Sequence, residues 1–277
     1  MEGAGLAAAL TAATIWALVI FLYKRHMESV GAATVNFSRL LYVSLFMWPV
    51  LLGVGDTKGV WVAALSGVVT LLLGDSLYFY AIHKVGGSVA APVVYTYVII
   101  AQYFALLLGE RVTPLLFLSS ALVVLGVALL ARGGEVRISP VGLAAAFGAA
   151  LLWSLGMTAV KLASLQGVPP AAIAYIRALS ACVPLGVYLA ARGRLRVVKS
   201  PAFAAASILD LGVGSTLFAF SVEKVGLAVT TILVSMSPLV TQLYAKASGI
   251  EQITPRQALG AVAIFIAIAI TMGVAVR

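Results

Sequence analysis

Long apolar runs, separated by short breaks that hold most of the charged residues, dominate this sequence. A membrane-spanning helix needs about 20 predominantly apolar residues, and the runs have about that length. They are too long and too rich in alanine and leucine for the alternating ten-residue strands of a lipid-facing β-barrel. We therefore predict an all-α membrane protein with ten transmembrane helices. These predicted spans are Leu6–Tyr23, Ala32–Leu52, Val60–Ile82, Ser88–Leu108, Leu115–Ala131, Pro140–Leu162, Pro169–Ala191, Ala202–Val222, Leu227–Ala247 and Gln257–Val274.

Composition supports the same class. Of the 277 residues, 62% are AVILMFWYC and 10% are charged, whereas a soluble domain is about 45–50% apolar and about 25% charged. This excludes a soluble globular enzyme and a disordered regulator. The net charge of +9 comes from basic residues in short loops, which is typical of charges that flank spans near anionic lipid. We therefore expect the lipid bilayer, and no nucleic acid, as a partner.

The loop charges also predict an orientation. Ten spans place both termini on one side of the membrane. When the span-end residues Lys161 and Lys246 are counted with the loops that follow them, the loops after the odd-numbered spans hold 11 Lys and Arg residues, and the other loops with the C-terminus hold 5. By the positive-inside rule, the termini are expected outside.

The two halves of the chain resemble each other. "TIWALVIFLYK" aligns with "LLWSLGMTAVK", so Trp16 matches Trp153 and Lys24 matches Lys161 at an offset of 137 residues. Further matches follow in order at offsets of 138 to 141: Arg39 with Arg177, Lys84 and Gly86 with Lys224 and Gly226, and Glu110, Thr113 and Pro114 with Glu251, Thr254 and Pro255. The duplication predicts two five-helix repeats, residues 1–133 and 139–277.

An odd number of spans in each repeat would make the two repeats inverted in the membrane. Inverted repeats around a central cavity are typical of transporters that alternate access between the two sides. The alternative is an old duplication that is kept for packing alone.

This pattern resembles the EamA-type members of the drug/metabolite transporter superfamily. The features that carry the resemblance are the Trp of spans 1 and 6, the Arg of spans 2 and 7, the "KVG" turn before spans 4 and 9, Ser237-Pro238-Leu239, and the Glu-x-x-Thr-Pro junctions. The resemblance implies a ten-helix bundle in the cell's inner (plasma) membrane. It also implies secondary transport of small metabolites, often amino acids or related compounds, often outward. The first half departs from the pattern: Tyr97-Val98-Ile99 stands where span 9 has Ser-Pro-Leu, so the kink of span 4 is expected elsewhere.

Four charged residues fall well inside predicted spans: Arg39, Asp75, Arg177 and Asp210. A charge at mid-bilayer costs about 2.5–3.5 kcal/mol on insertion scales, so each should face a cavity or a partner. Arg39 and Asp75 lie at matching depths on consecutive helices, which predicts an ion pair. The depths of Arg177 and Asp210 differ by about 6 Å at 1.5 Å per residue, which a long Arg side chain partly covers.

The role of these charged residues has two possible interpretations. In one, Asp75 titrates and couples transport to protons, or an Arg holds a substrate carboxylate through its bidentate fork. In the other, the pairs only neutralise buried charge. Glu110 and Glu251 precede Thr-Pro and are interpreted as residues of helix junctions, and Lys24 and Lys161 as lysines that reach the interface from helix ends.

Polar and aromatic residues at mid-depth complete a predicted cavity wall. Tyr78 lies in span 3, Tyr95 in span 4 and Ser235 in span 9, while Trp16 and Trp153 occupy matched positions in spans 1 and 6. With the four charged residues, they are our nine candidates for substrate binding or cavity lining. Helix–helix packing is the alternative role for each of them.

The sequence shows no arrangement of residues typical of an enzyme active site. The two histidines lie at span ends, the single cysteine lies in an apolar run, and the G-x-x-x-x-G-K-[ST], G-x-S-x-G and H-E-x-x-H motifs do not occur. We expect no enzyme, no cofactor and no metal. The predicted function is secondary active transport of small metabolites, with amino acid export favoured and protons as a candidate coupling ion. A passive facilitator or exchanger without ion coupling is the alternative, and the oligomeric state is left open.

Overall fold

A computed structural model describes residues 2–55, 58–131, 139–249 and 252–276, and all its regular elements are helical. We number the helices α1 (Glu2–Val30), α2 (Ala32–Phe46), α3 (Gly59–Val85), α4 (Gly87–Leu107), α5 (Pro114–Leu130), α6 (Pro140–Leu165), α7 (Pro170–Ala191), α8 (Pro201–Val234), α9 (Ser237–Ala247) and α10 (Pro255–Ala275). A 3₁₀ helix, Trp48–Gly53, follows α2. Glu251 and the boundary between the predicted repeats at residue 133 lie outside the described residues.

Seven of these helices are long and apolar enough to cross a membrane: α1, α3, α4, α6, α7, α8 and α10. The apolar helix α5 is shorter, at 17 residues. The all-helical, multi-pass class is thereby confirmed, while the count of ten spans stays a prediction. Predicted boundaries differ from the structure at α1 and α2. α1 runs from Glu2 to Val30, beyond both ends of the predicted Leu6–Tyr23. α2 ends at Phe46 and a 3₁₀ turn with Pro49 near its start continues the chain. The predicted gap between spans 8 and 9 coincides with the kink at Gly226 inside α8.

Equivalent backbone distortions occur 140 residues apart. Gly86 separates α3 from α4 with a φ of 80°, and Gly226 kinks α8 with a φ of 86°. Only glycine adopts this region without strain. A π-helical stretch lies inside α3 at Val68–Gly74 and another inside α8 at Ile208–Gly214. The widened turns of π segments often occur at functional sites.

The helix break in the first half lies at the same place as the break in the second half. α4 is interrupted at Thr96, and α8 and α9 are separated by Ser235 and Met236. In both breaks a backbone N–H donates three residues back, from Thr96 to Val93 and from Met236 to Leu233. The expectation that span 4 kinks elsewhere was therefore wrong, since the tight turn forms without the Ser-Pro-Leu sequence.

The halves interlock helix by helix. α1 packs against α8 as α6 packs against α3, α2 packs against α7, and α5 packs along α10. At the last contact Gly126 and Gly260 face each other, and a Cβ on either would lie within 2.8 Å of the other's carbonyl oxygen. Small residues permit such close approach of helices in membranes. The space between the paired helices contains the candidate site.

Candidate functional site

A cavity of about 900 Å³ lies between the two halves. It reaches one end of the bundle, where Gly86, Ser88, Leu130 and Gln257 line it, and we call this the Gly86 end. The opposite end, which holds Glu110, is about 30 Å away along the 21 residues of α4. We call it the Gly226 end. The cavity therefore extends from the Gly86 end into the bundle.

Arg39 of α2 joins two carboxylates inside this cavity. Its Nη2 lies 2.5 Å from Asp75 Oδ2 of α3, and its Nη1 lies 3.3 Å from Asp210 Oδ2 of α8. All three residues line the cavity. We call them the Arg39 triad. A single guanidinium thus serves one carboxylate from each half of the chain.

Hydrogen bonds from neighbouring helices hold the triad in place. Tyr23 Oη donates to Asp210 Oδ2 at 2.9 Å, and Trp153 Nε1 donates to Asp75 Oδ1 at 3.2 Å. Asn36 Oδ1 accepts from Arg39 Nε at 2.9 Å, while Asn36 Nδ2 donates to the Leu71 carbonyl in the first π stretch. The triad is consequently positioned by helices α1, α2, α3, α6 and α8.

Two tryptophans pack on glycines that end the π stretches. A Cβ on Gly74 would lie 2.5 Å from Trp153 Cδ1, and a Cβ on Gly214 would lie 2.7 Å from Trp16 Nε1. Trp16 Nε1 also donates to the Asp210 carbonyl oxygen at 3.3 Å. The glycines allow each indole to lie against the neighbouring helix beside the carboxylate residues.

Arg177 of α7 lies deeper in the cavity and outside the triad. It is seven residues from the start of α7, so it is about 10 Å from the Gly226 end. It is buried and lines the cavity with Thr70 and Met157. The long side chain of Arg177 was expected to cover part of the distance to Asp210, but Asp210 contacts Arg39 and Tyr23 instead.

Aromatic rings form part of the cavity wall beside the triad. Tyr78 and Tyr97 lie edge-on to Trp153, with ring centroids 5.3 and 5.8 Å away, and Tyr95 packs on Tyr97 at 5.7 Å. Tyr97 Oη and Ser235 Oγ share a hydrogen bond of 2.7 Å. The wall offers apolar faces together with a few hydroxyl groups.

The Gly226 end is tied together by Glu110. Its carboxylate accepts from the N–H groups of Leu227 and Ala228, at 2.7 and 3.0 Å, where the helix restarts after Gly226. Lys161 Nζ of α6 lies 3.2 Å from Glu110 Oε1 and also donates to the Val222 carbonyl. We call this set the Glu110 latch. Lys161 thus pairs with Glu110 at the Gly226 end.

The structure places eight of the nine sequence candidates in the cavity wall: Trp16, Arg39, Asp75, Tyr78, Tyr95, Trp153, Arg177 and Asp210. Ser235 is absent from the wall and supports Tyr97 from behind. The predicted ion pair between Arg39 and Asp75 is present.

Sequence reasoning missed Tyr23 and Asn36. Asn36 lies three residues before Arg39 on one helix, a spacing that brings side chains together and was the available signal. Across the described ranges, no group of three or more His, Cys, Asp or Glu residues is arranged to hold a metal. The chemistry that the cavity offers is ionic and hydrogen-bonding recognition of a small molecule.

Comparisons with known proteins agree with this architecture. The EamA-like transporter family matches residues 3–132 and 140–273. An uncharacterized transporter from Archaeoglobus fulgidus is 27% identical over 176 residues, and this match spans 61% of our chain and 63% of the relative. A protein of known crystal structure shares the fold, with a TM-score of 0.81 over 99% of both chains at 17% identity. One family thus matches both halves of a helical bundle with a charged cavity between them, and the chain belongs to the EamA-like transporter family.

Proposed function

We propose that this transporter is a secondary carrier of the inner membrane that exports amino acids or related small metabolites in exchange for protons. The observation that carries the proposal is the Arg39 triad, in which Asp75 and Asp210 share one guanidinium inside the cavity. Nothing in the sequence provides a nucleotide-binding loop, so an ion gradient is the natural source of energy.

The charge of the triad explains how protons and substrate would compete. With both carboxylates ionised, two negative charges face one positive charge, and the triad has a net charge of −1. Such an excess is unfavourable at low dielectric unless it is paired. Either a proton or the ammonium group of a substrate neutralises it, and the two cannot do so together. Competition for one site is the requirement for exchange transport, because the ligands then bind alternately.

Access would alternate between the two ends of the bundle. The cavity reaches the Gly86 end, whereas the Glu110 latch ties the helices together at the Gly226 end. Backbone breaks that are equivalent at both ends support a rocking motion in which the ends exchange roles. We propose that the halves are inverted five-helix repeats, residues 1–133 and 139–277, and that the chain crosses the membrane ten times.

Transport into proteoliposomes tests the proposal. Labelled amino acids are offered outside vesicles with an acidic lumen, so that protons leave as substrate enters. We expect accumulation above the external concentration in the wild type and its loss in Asp75→Asn and Asp210→Asn. Glu223→Gln is the matched control, since it also replaces an acid with an amide but alters a surface pair with Lys224. Accumulation that persists in both Asn variants would contradict the proposed coupling.

One observation favours the alternative, a passive facilitator or exchanger without ion coupling. Each triad carboxylate already accepts two hydrogen bonds, from Arg39 and from Trp153 or Tyr23, as a purely structural charge network would. In that case labelled substrate equilibrates at the same level with and without the pH gradient, and Asp75→Asn leaves this level unchanged.

A further inference from the structure

Arg177 is the cavity's second cation. Only 4% of its surface is exposed, and its Nε is buried without a hydrogen-bond partner. Within the described ranges, the carboxylates that line the cavity are those of Asp75 and Asp210, and both contact Arg39. A buried guanidinium that contacts no carboxylate is costly, so this position favours an anion from outside the chain.

A buried hydroxyl without a partner accompanies Arg177. Thr70 lines the same cavity and is only 5% exposed. Its Oγ1 nevertheless makes no hydrogen bond. A hydroxyl buried in this way is usually satisfied by a hydrogen bond. Arg177 Nε and Thr70 Oγ1 are therefore two unsatisfied polar atoms in the wall of one cavity.

The internal duplication relates this pair to the Arg39 triad. Arg177 is the equivalent of Arg39, and at the offset of 140 residues Thr70 is the equivalent of Asp210, while Ser215 is the equivalent of Asp75. Ser215 is buried and also lines the cavity. The second arginine thus has hydroxyl groups at the two positions where the first has carboxylates.

Close packing holds Arg177 in place. Gly67 of α3 lies directly against the Arg177 backbone, where an added Cβ would overlap the carbonyl oxygen. One turn further along α7, Ser180 Oγ donates to the Ala64 carbonyl of α3 at 2.8 Å. The guanidinium therefore projects from a rigid contact between helices, which lowers the entropic cost of binding a ligand there.

We propose that Arg177, with Thr70 and Ser215, is the subsite that binds the carboxylate of an amino acid substrate. The guanidinium fork matches the geometry of a carboxylate, and hydroxyl groups donate to its oxygens. This inference rests on the proposed function, in which the triad takes the ammonium group. Together, the subsite's single positive charge and the triad's single negative charge match a zwitterion, which enters the cavity without changing its net charge.

Binding to purified protein in nanodiscs tests this assignment. Each of the twenty standard amino acids serves as a labelled probe, and the amide of each bound amino acid, which lacks the carboxylate, serves as its competitor. We expect the wild type to prefer the acid by about 10- to 100-fold, the range for a charge-assisted hydrogen bond. In Arg177→Met the preference should fall below about threefold. Glu223→Gln, outside the cavity, should keep the wild-type ratio.

Thr70→Asp is the more specific test, because it places at position 70 the carboxylate that the equivalent residue Asp210 carries. An aspartate at this position would pair with Arg177 as Asp210 pairs with Arg39, so we expect a folded protein without preference for the acid. A wild type that binds the amide as well as the acid, or that binds no amino acid, overturns the subsite, as does a Thr70→Asp protein that keeps the preference.

Failure of the proton-coupling proposal gives a different result. If exchange with protons is wrong but the subsite is right, transport is insensitive to the pH gradient, and the acid is still preferred to the amide in the wild type. If the subsite is wrong but the coupling is right, accumulation depends on the pH gradient and on Asp75, and Arg177→Met leaves the ratio of acid to amide unchanged.

Discussion

Replacing Glu110 with glutamine should open the Gly226 end of the bundle. The carboxylate joins the loop after α4 to α6 and α8 through two backbone N–H donors and Lys161. Glutamine keeps one oxygen acceptor but loses the negative charge that both the helix N-terminus and the lysine favour. If the latch forms only when this end is closed, the substitution shifts the balance between closed and open ends toward the open one.

The magnitude follows from the bonds that are weakened. Hydrogen bonds to a charged group contribute about 1.5–3 kcal/mol each, and a charge at a helix N-terminus about 0.3–1 kcal/mol. Because glutamine can keep one of the two N–H bonds, we estimate a net loss of about 1.5–3 kcal/mol for the closed end. At 1.4 kcal/mol per factor of ten, the ratio of open to closed ends rises about 10- to 100-fold.

Distances between spin labels measure this shift. Leu107 of α4 and Leu165 of α6 are 80% and 64% exposed and flank the latch, so cysteines at both positions can carry labels after Cys182→Ala removes the native thiol. In Glu110→Gln we expect a second, longer distance to become populated in nanodiscs. Glu223→Gln should give the wild-type distribution. If the Glu110→Gln distribution also equals that of the wild type, Glu110 only anchors a loop and the latch has no part in gating.

Two further predictions concern stability, measured by thermal unfolding in detergent. Arg39→Met leaves two buried carboxylates without their cation and should destabilise the protein by about 3–5 kcal/mol. Adding Asp75→Asn and Asp210→Asn should restore most of this stability. If stability does not recover, unpaired charge is not the cause of the loss. Gly226→Ala should cost more than Gly86→Ala, although both glycines have a positive φ, because only at Gly226 would the added Cβ approach the Glu110 carboxylate, at 2.7 Å. Equal losses of stability would show that backbone strain alone matters there.

Local periodicity and depth were enough to predict the helical class and the pair formed by Arg39 and Asp75. Those residues lie on consecutive helices, where counting residues from a shared end gives their relative depth. Asp210 could not be placed in this way. It reaches Arg39 because α2 and α8 approach each other across the halves, and no short-range pattern contains that information.

Glu110 also has long-range contacts that its local sequence does not predict. The local sequence before Thr-Pro suggests a helix junction, and a junction is where it lies. Its partners are Leu227 and Ala228, more than 110 residues away in sequence. Their N–H groups are free to donate to Glu110 only because Gly226 breaks α8. The "KVG" motif predicted that break, while the π stretches on α3 and α8 carried no comparable signal.

For the proposed amino acid substrate, the duplication also explains why an asymmetric site is needed. A strictly two-fold cavity would repeat the Arg39 triad around Arg177, with Asp at positions 70 and 215, and its four carboxylates would face two guanidiniums. That arrangement has a net charge of −2 and two equal halves. An amino acid has no two-fold axis and presents one positive and one negative end. Hydroxyl groups at Thr70 and Ser215 remove two negative charges from the surroundings of Arg177 alone. This difference gives the cavity a polarity that matches a zwitterion while the backbone remains duplicated.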